Sequence, residues 1–348
     1  MTATTAPEPT IAVPQILGRS HRKIGRAERI LGPENYRILR GLLVTPTSIA
    51  GLVLITFFAI IAIAAPVIVP PKSAADPYKI PRDGFSPDPK PLMSAWERNA
   101  PDLPFWWKPI MKTDKWVHLM GTASGQYDIF YGVIWGTRTA FKVGILITLC
   151  ALIIGITMGA VAAYYGRWVD MVLMRILDIF LTLPFLMAAL ILAAVLTPRI
   201  GRSTYPIMIA LVAFGWMTYA RLVRGDVLSV RERDYVMAAK VVGNTDRRIL
   251  LKHILPNAIF PTFVLASMDI GTYVLSFAAL SFLGIGVEPG YADWGQLLSF
   301  ARNWIPDLAK FWYIVVYPGA ALILFVLAWT LLGDALRDVL DPRLRGSR

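Results

Sequence analysis

Residues Thr139–Ala163 read TAFKVGILITLCALIIGITMGAVAA and carry a single charge, Lys142. About 20 mainly apolar residues cross the hydrocarbon core of a bilayer, so this stretch reads as a membrane helix. Within it, Gly155 and Gly159 form a small-xxx-small spacing, which lets another helix backbone approach closely.

Five further stretches share this character: 47–68, 171–197, 205–222, 258–283 and 313–333. Together the six runs predict an all-α, polytopic membrane protein with six transmembrane helices. The chain is 56% hydrophobic and only 17% charged over 348 residues, a balance that excludes an ordinary soluble enzyme. Pro184 lies inside the third run and is expected to kink it. The first run follows 46 largely polar and basic residues, too many for the n-region of a secretory signal, and reads as an uncleaved first span. A short extra helix is expected around 34–43.

The net charge of +12 is distributed as membrane flanks rather than as a nucleic-acid surface, so no nucleic-acid partner is expected. Seven Lys and Arg lie between Arg19 and Arg40, eight between Arg221 and Lys252, and four from Arg337 to Arg348. Few face them in the opposing loops: Arg199 and Arg202, then Arg302 and Lys310. The positive-inside rule therefore places both termini in the cytoplasm of a multi-pass cell-membrane protein. The expected organisation is a cytoplasmic segment 1–46, a first helix 47–68, an external Pro- and Trp-rich insertion with pre-helix segment 69–138, a five-helix core 139–335 and a cytoplasmic tail 336–348. Within the external part, Trp96, Trp106, Trp107 and Trp116 give two readings: a lid on the outer membrane surface, or a contact surface for a partner. Trp294 and Trp304 read as anchors at the outer interface.

Single Cys150 permits no intrachain disulfide, and His21, His118 and His253 lack ligand spacing, so no metal is expected. No Ser/His/Asp or paired-carboxylate set appears, which argues against a membrane enzyme. Inside the spans, Asp178 has Arg175 as an i, i+3 partner, whereas Asp269 has no neighbour and reads as either a pathway or an interhelical residue.

The apolar text is interrupted at Tyr235–Asn257, YVMAAKVVGNTDRRILLKHILPN. A helix is expected from Asp226 to Val242, ended by Gly243 in the left-handed conformation. Asn244 or Thr245 would cap a second helix beginning at Asp246, with Ile249, Leu250 and Ile254 as its apolar stripe. Pro256 marks the approach to the fifth span. The whole forms a helix–turn–helix hairpin, 224–257, outside the membrane.

This hairpin resembles the EAA loop of ABC-importer permease subunits: Ala238-Ala239, Gly243 and Leu255-Pro256 fall at the family's spacings, and Met237 stands where Glu is usual. Leu280–Leu298 and Leu331–Arg345 resemble the outer loop and tail of the dipeptide, oligopeptide and nickel branch, C-type permease. His118–Gly144 resembles the segment before their second span. The resemblance covers about 115–348 plus the first span. It implies the transmembrane domain of a type I ABC importer, with Met237, Ala238, Ala239, Gly243, Asp246, Leu255 and Pro256 coupling to an ATPase. It implies a second permease subunit, two ATPase subunits and an external substrate-binding protein as partners, beside membrane lipid. The chain has no Gly-x-x-x-x-Gly-Lys phosphate loop, so it is expected to bind no cofactor, with ATP on the partner subunits. Peptides are the expected substrate. Oligosaccharides or nickel are the alternatives on the same architecture, and an ATP-independent secondary transporter is the competing class.

Overall fold

The computed structural model describes residues 43, 45–98, 100, 103–111 and 115–340. The helix expected around 34–43 and the arginines of the two outermost segments, Arg19–Arg40 and Arg343–Arg348, lie outside the described residues.

Pro46 opens the first helix, α1 (Pro46–Ile68), at a position where its missing N–H has no helical partner to lose. The second, α2 (Ile129–Tyr165), starts ten residues before the apolar run. Asp128 explains the early start: its carboxylate caps the helix by accepting the Tyr131 N–H at 2.7 Å. At 37 residues α2 is about 55 Å long, well beyond the membrane thickness. It ends at Gly166, whose φ of 61° only glycine adopts readily.

Pro184 does interrupt the third run, and more sharply than a simple kink. The run forms two helices, α3 (Arg167–Leu181) and α4 (Phe185–Ile200), bent by 87° at the break before Phe185. Pro184 removes an N–H and drives its predecessor out of helical geometry. In addition, α3 carries Arg167, Asp170, Arg175 and Asp178, too many charges for a lipid-crossing segment.

Next come α5 (Tyr205–Arg231), the short α6 (Asp234–Val241) and α7 (Asp246–Ile249). A π-helical turn at Leu250–Ile254 and a helical turn at Leu255–Ala258 then lead into α8 (Phe260–Phe282). A short helix, α9 (Trp294–Phe300), precedes α10 (Tyr313–Leu340). Five helices, α1, α2, α5, α8 and α10, are long and apolar enough to cross a membrane. The bent pair α3–α4 makes six if it counts as one span.

Glycines set the tightest approaches. A Cβ on Gly159 would stand 2.4 Å from the Ala220 carbonyl oxygen, and one on Gly155 2.5 Å from Tyr219 Cβ. The small-xxx-small spacing therefore seats α2 directly on the α5 backbone. Gly144 meets α8 in the same way, through Ile270 and Val274.

Aromatic packing joins α1, α2, α9 and α10. Phe58 lies 5.4 Å from Phe325, and Trp294 5.6 Å from Phe325. Trp294 is thus no interfacial anchor: it is buried, and its indole donates to the Val133 carbonyl at 3.1 Å. A second side chain is excluded here by Gly295, where a Cβ would fall 2.1 Å from the Ala278 oxygen. Trp304 packs edge-on against Phe311, and its indole nitrogen has no partner.

Candidate functional site

The hairpin is built from the end of α5 to the start of α8. Helix α5 runs on to Arg231, and the chain breaks at Glu232–Arg233 before α6 starts, so the expected single helix from Asp226 to Val242 is two. Arg231 holds the break in place by donating from Nη1 to the Ala163 carbonyl at 2.9 Å, one of the free carbonyls ending α2.

Gly243, at φ 82°, terminates α6 as its sequence position predicted. Asn244 N–H reaches back to the Ala239 carbonyl at 3.2 Å, and the Asn244 side-chain amide donates to the same oxygen at 3.0 Å. Neither Asn244 nor Thr245 caps α7 with its side chain: Asn244 is engaged backward, and Thr245 makes no such bond. The Asp246 carboxylate instead accepts the Tyr164 hydroxyl at 2.6 Å, tying the hairpin to α2.

The hairpin has an inner and an outer face. Val236, Ala239, Ile249, Ile254 and Ala258 are buried against Ala160, Ala163, Val223 and Val227, with Leu250 and Leu255 half-buried beside them. Ala239 is therefore core, and of the two alanines only Ala238 faces outward. Met237, Gly243, Asp246 and Pro256 are exposed with it. Sequence reading missed the most exposed pair, Val241 at 88% and Val242 at 80%. Their signal was present as two β-branched apolar residues directly before a helix-ending glycine, on the side away from the stripe. These two valines and Met237 leave the hairpin's tip apolar and exposed.

Within the spans, Asp269 on α8 accepts the Tyr219 hydroxyl of α5 at 2.7 Å, and Tyr273 on α8 donates to the Gly215 carbonyl at 3.1 Å. Asp178 does not pair with Arg175. It meets Arg221 across the bend at 2.5 Å, while Asp170 takes a two-point contact from Arg224 at 2.5 and 2.6 Å. Both carboxylates of α3 thus take partners on α5 in place of the expected i, i+3 pairing.

Beyond the opposite end of α2 from the hairpin, the Pro-rich text folds into a compact module with little regular structure, the outer module of the orientation expected from the charges. Ser94–Ala95 pairs antiparallel with Val117–His118, and Lys79 bridges to Tyr291. Its centre is polar and buried. His118 lies between two carboxylates, with Nδ1 at 2.7 Å from Asp128 and Nε2 at 3.3 Å from Asp83. Asp83 also receives Lys90 Nζ at 2.5 Å and the backbone N–H groups of Glu97 and Arg98. Burial pushes the Asp83 carboxyl up, but these hydrogen bonds outweigh it and hold the group below the usual carboxylate range. Trp96 covers the His118 ring at 4.2 Å between centroids. Trp96 and Trp116 are buried and Trp107 is half-buried, so these three form the module's interior rather than a contact surface; Trp106 alone of the four is exposed.

Two features define the class: an apolar bundle of five or six spans, and a glycine-turned hairpin standing beyond it with a bare apolar tip. They are those of a transport permease, and residues 120–346 match the model of binding-protein-dependent transport system inner membrane components. The chain belongs to that family and is a multi-pass inner-membrane permease component. It is 39% identical over 228 residues to the dipeptide transport system permease protein DppC of Alkalihalophilus pseudofirmus, covering 66% of this chain and 73% of that one. It is 37% identical over 228 residues to the glutathione transport system permease protein GsiD of Pectobacterium atrosepticum, with the same coverage. Against the probable D,D-dipeptide transport system permease protein DdpC of Escherichia coli it is 36% identical over 231 residues, covering 66% and 75%.

Proposed function

We propose that this chain is one of two permease subunits in an ATP-driven importer of di- or oligopeptides. Three relatives named for dipeptide, glutathione or D,D-dipeptide transport support the substrate class. In this reading two ATPase subunits carry the nucleotide chemistry, an external binding protein delivers the peptide, and both termini lie in the cytoplasm. The chain itself holds no cofactor.

The observation that carries the coupling role is the exposed apolar tip of the hairpin, Met237, Val241 and Val242, held rigidly from behind. Met237 and Ala238 offer the contact surface. Gly243 sets the turn, Ala239 and Leu255 fasten the hairpin to the spans, Asp246 ties it to α2, and Pro256 leads into α8. An ATPase gripping the tip would move α5 and α8 together, because both packed ends of the hairpin continue into them. Asp269, which accepts the Tyr219 hydroxyl across those two helices, serves in this reading as their interhelical tie.

Purification from the native membrane tests the whole reading. A sister permease, ATPases and a binding protein are expected to accompany the chain, with a peptide retained. Recovery of the chain alone, transporting without ATP after reconstitution, would overturn it; a retained sugar or metal would overturn the substrate class. Val242→Asp, at a fully exposed site, is expected to leave the fold intact and abolish transport-linked ATP hydrolysis.

A further inference from the structure

We propose that the segment Leu103–Met111 of the outer module is a membrane-interface anchor, seating Phe105 and Trp106 among the headgroups and upper acyl chains of the outer leaflet. The occupant of this surface is lipid, because of the height at which α1 holds it. Helix α1 has 23 residues and is about 34 Å long, close to the roughly 30 Å of a hydrocarbon core. Its last residues therefore lie at the boundary between hydrocarbon and headgroups. Toward that end Ile60, Ile63 and Val67 are exposed, as lipid-facing side chains are.

The module is fastened at this level. Trp107 donates its indole N–H to the Ile68 carbonyl at 2.7 Å, and Trp135 donates to the Val69 carbonyl at 3.0 Å. Both oxygens lie at the C-terminal end of α1, where carbonyls lack helical partners. Trp107 is thus pinned at the boundary, and its chain neighbours cannot stand far above it.

Those neighbours are what an interface selects. Phe105 is 76% exposed and Trp106 42%, and the two rings meet edge to face at 4.9 Å. From Leu103 to Met111 the text LPFWWKPIM contains no acidic residue and one lysine, Lys108. Aromatic rings with a flanking cation are enriched where the bilayer meets water. The inward-turned tryptophans of the module hold it together, and this outward pair, placed at bilayer height, meets lipid. The inference stands apart from the coupling and substrate readings, since it needs only the membrane span and the bond to its end.

The test uses the full-length chain with Cys150→Ala, purified with its accompanying proteins and reconstituted in vesicles of phosphatidylethanolamine and phosphatidylglycerol. A nitroxide is attached at Phe105→Cys and, in a second protein, at Trp106→Cys. At both sites, collisions with oxygen, which concentrates in lipid, are expected to exceed those with a water-soluble nickel chelate. Dominant collision with the chelate would place the segment in water and overturn the proposal. Protection from both agents would overturn it too, by showing that protein rather than lipid covers the rings.

Discussion

At the scale of single residues, backbone proximity and burial decide what is tolerated. Gly159 has no space for a Cβ beside the Ala220 carbonyl, whereas a Cβ on Gly225 meets nothing within 4 Å. Gly159→Val is expected to lower the melting temperature, through an overpacking cost of about 1–3 kcal/mol. Gly225→Ala is expected to leave it unchanged or raise it slightly. Thermal unfolding in detergent compares the two. Asp293 supplies a pH test. Its carboxylate caps α9 through the N–H groups of Gly295 and Gln296 at 3.0 Å each and accepts the Ser281 hydroxyl. Burial nevertheless pushes it up from 3.8 to about 6. A folded-state value above the unfolded one means the contribution is most favourable below pH 3.8 and is lost as the pH rises through about 6. Asp293→Asn, which keeps an accepting oxygen but cannot ionise, is expected to gain stability relative to the natural chain between pH 4 and 7. A constant difference across that range would contradict the assignment.

At the scale of elements, the outer module is joined to α2 through the Asp83–His118–Asp128 line, since Asp128 is also the cap of that helix. Removing one member of a buried charged set leaves the rest unpaired, at a cost of about 3–5 kcal/mol. Asp83→Ala is therefore expected to release the stretch around Glu97 and Arg98 to proteolysis from outside while α5 to α8 stay protected. The contribution of Asp83 is complete above its unfolded value of 3.8 and lost as the pH falls through its lower folded value, so acid should act as a partial mimic of the substitution. None of this was legible in the chain. Asp83, His118 and Asp128 are far apart in sequence, and the spacing of the histidines told against a shared site. The hairpin was legible, because Gly243, the apolar stripe and Pro256 act through local geometry. What the reading could not extract was its sidedness: that Ala239 turns in and Val241 and Val242 turn out depends on where α2 and α5 lie.

At the scale of the whole molecule, the proposed orientation makes one further prediction. With Cys150→Ala as background, Met237→Cys on the hairpin should react with a membrane-impermeant maleimide only from the cytoplasmic side, and Phe85→Cys on the outer module only from outside. Reversed labelling would overturn the orientation. By itself the sequence determined that the chain lives in a membrane, roughly where its spans lie, and where its hairpin turns. Each of these is a local property: transfer of a segment into lipid sums over its own residues, and a left-handed turn needs only a glycine at the right place. Tertiary structure alone decided the exchange of Arg175 for Arg221 as the partner of Asp178, and the burial of Trp96, Trp116 and Trp294. Those outcomes depend on distances between residues remote along the chain, and a charge or an indole takes whichever partner the packed helices bring within reach.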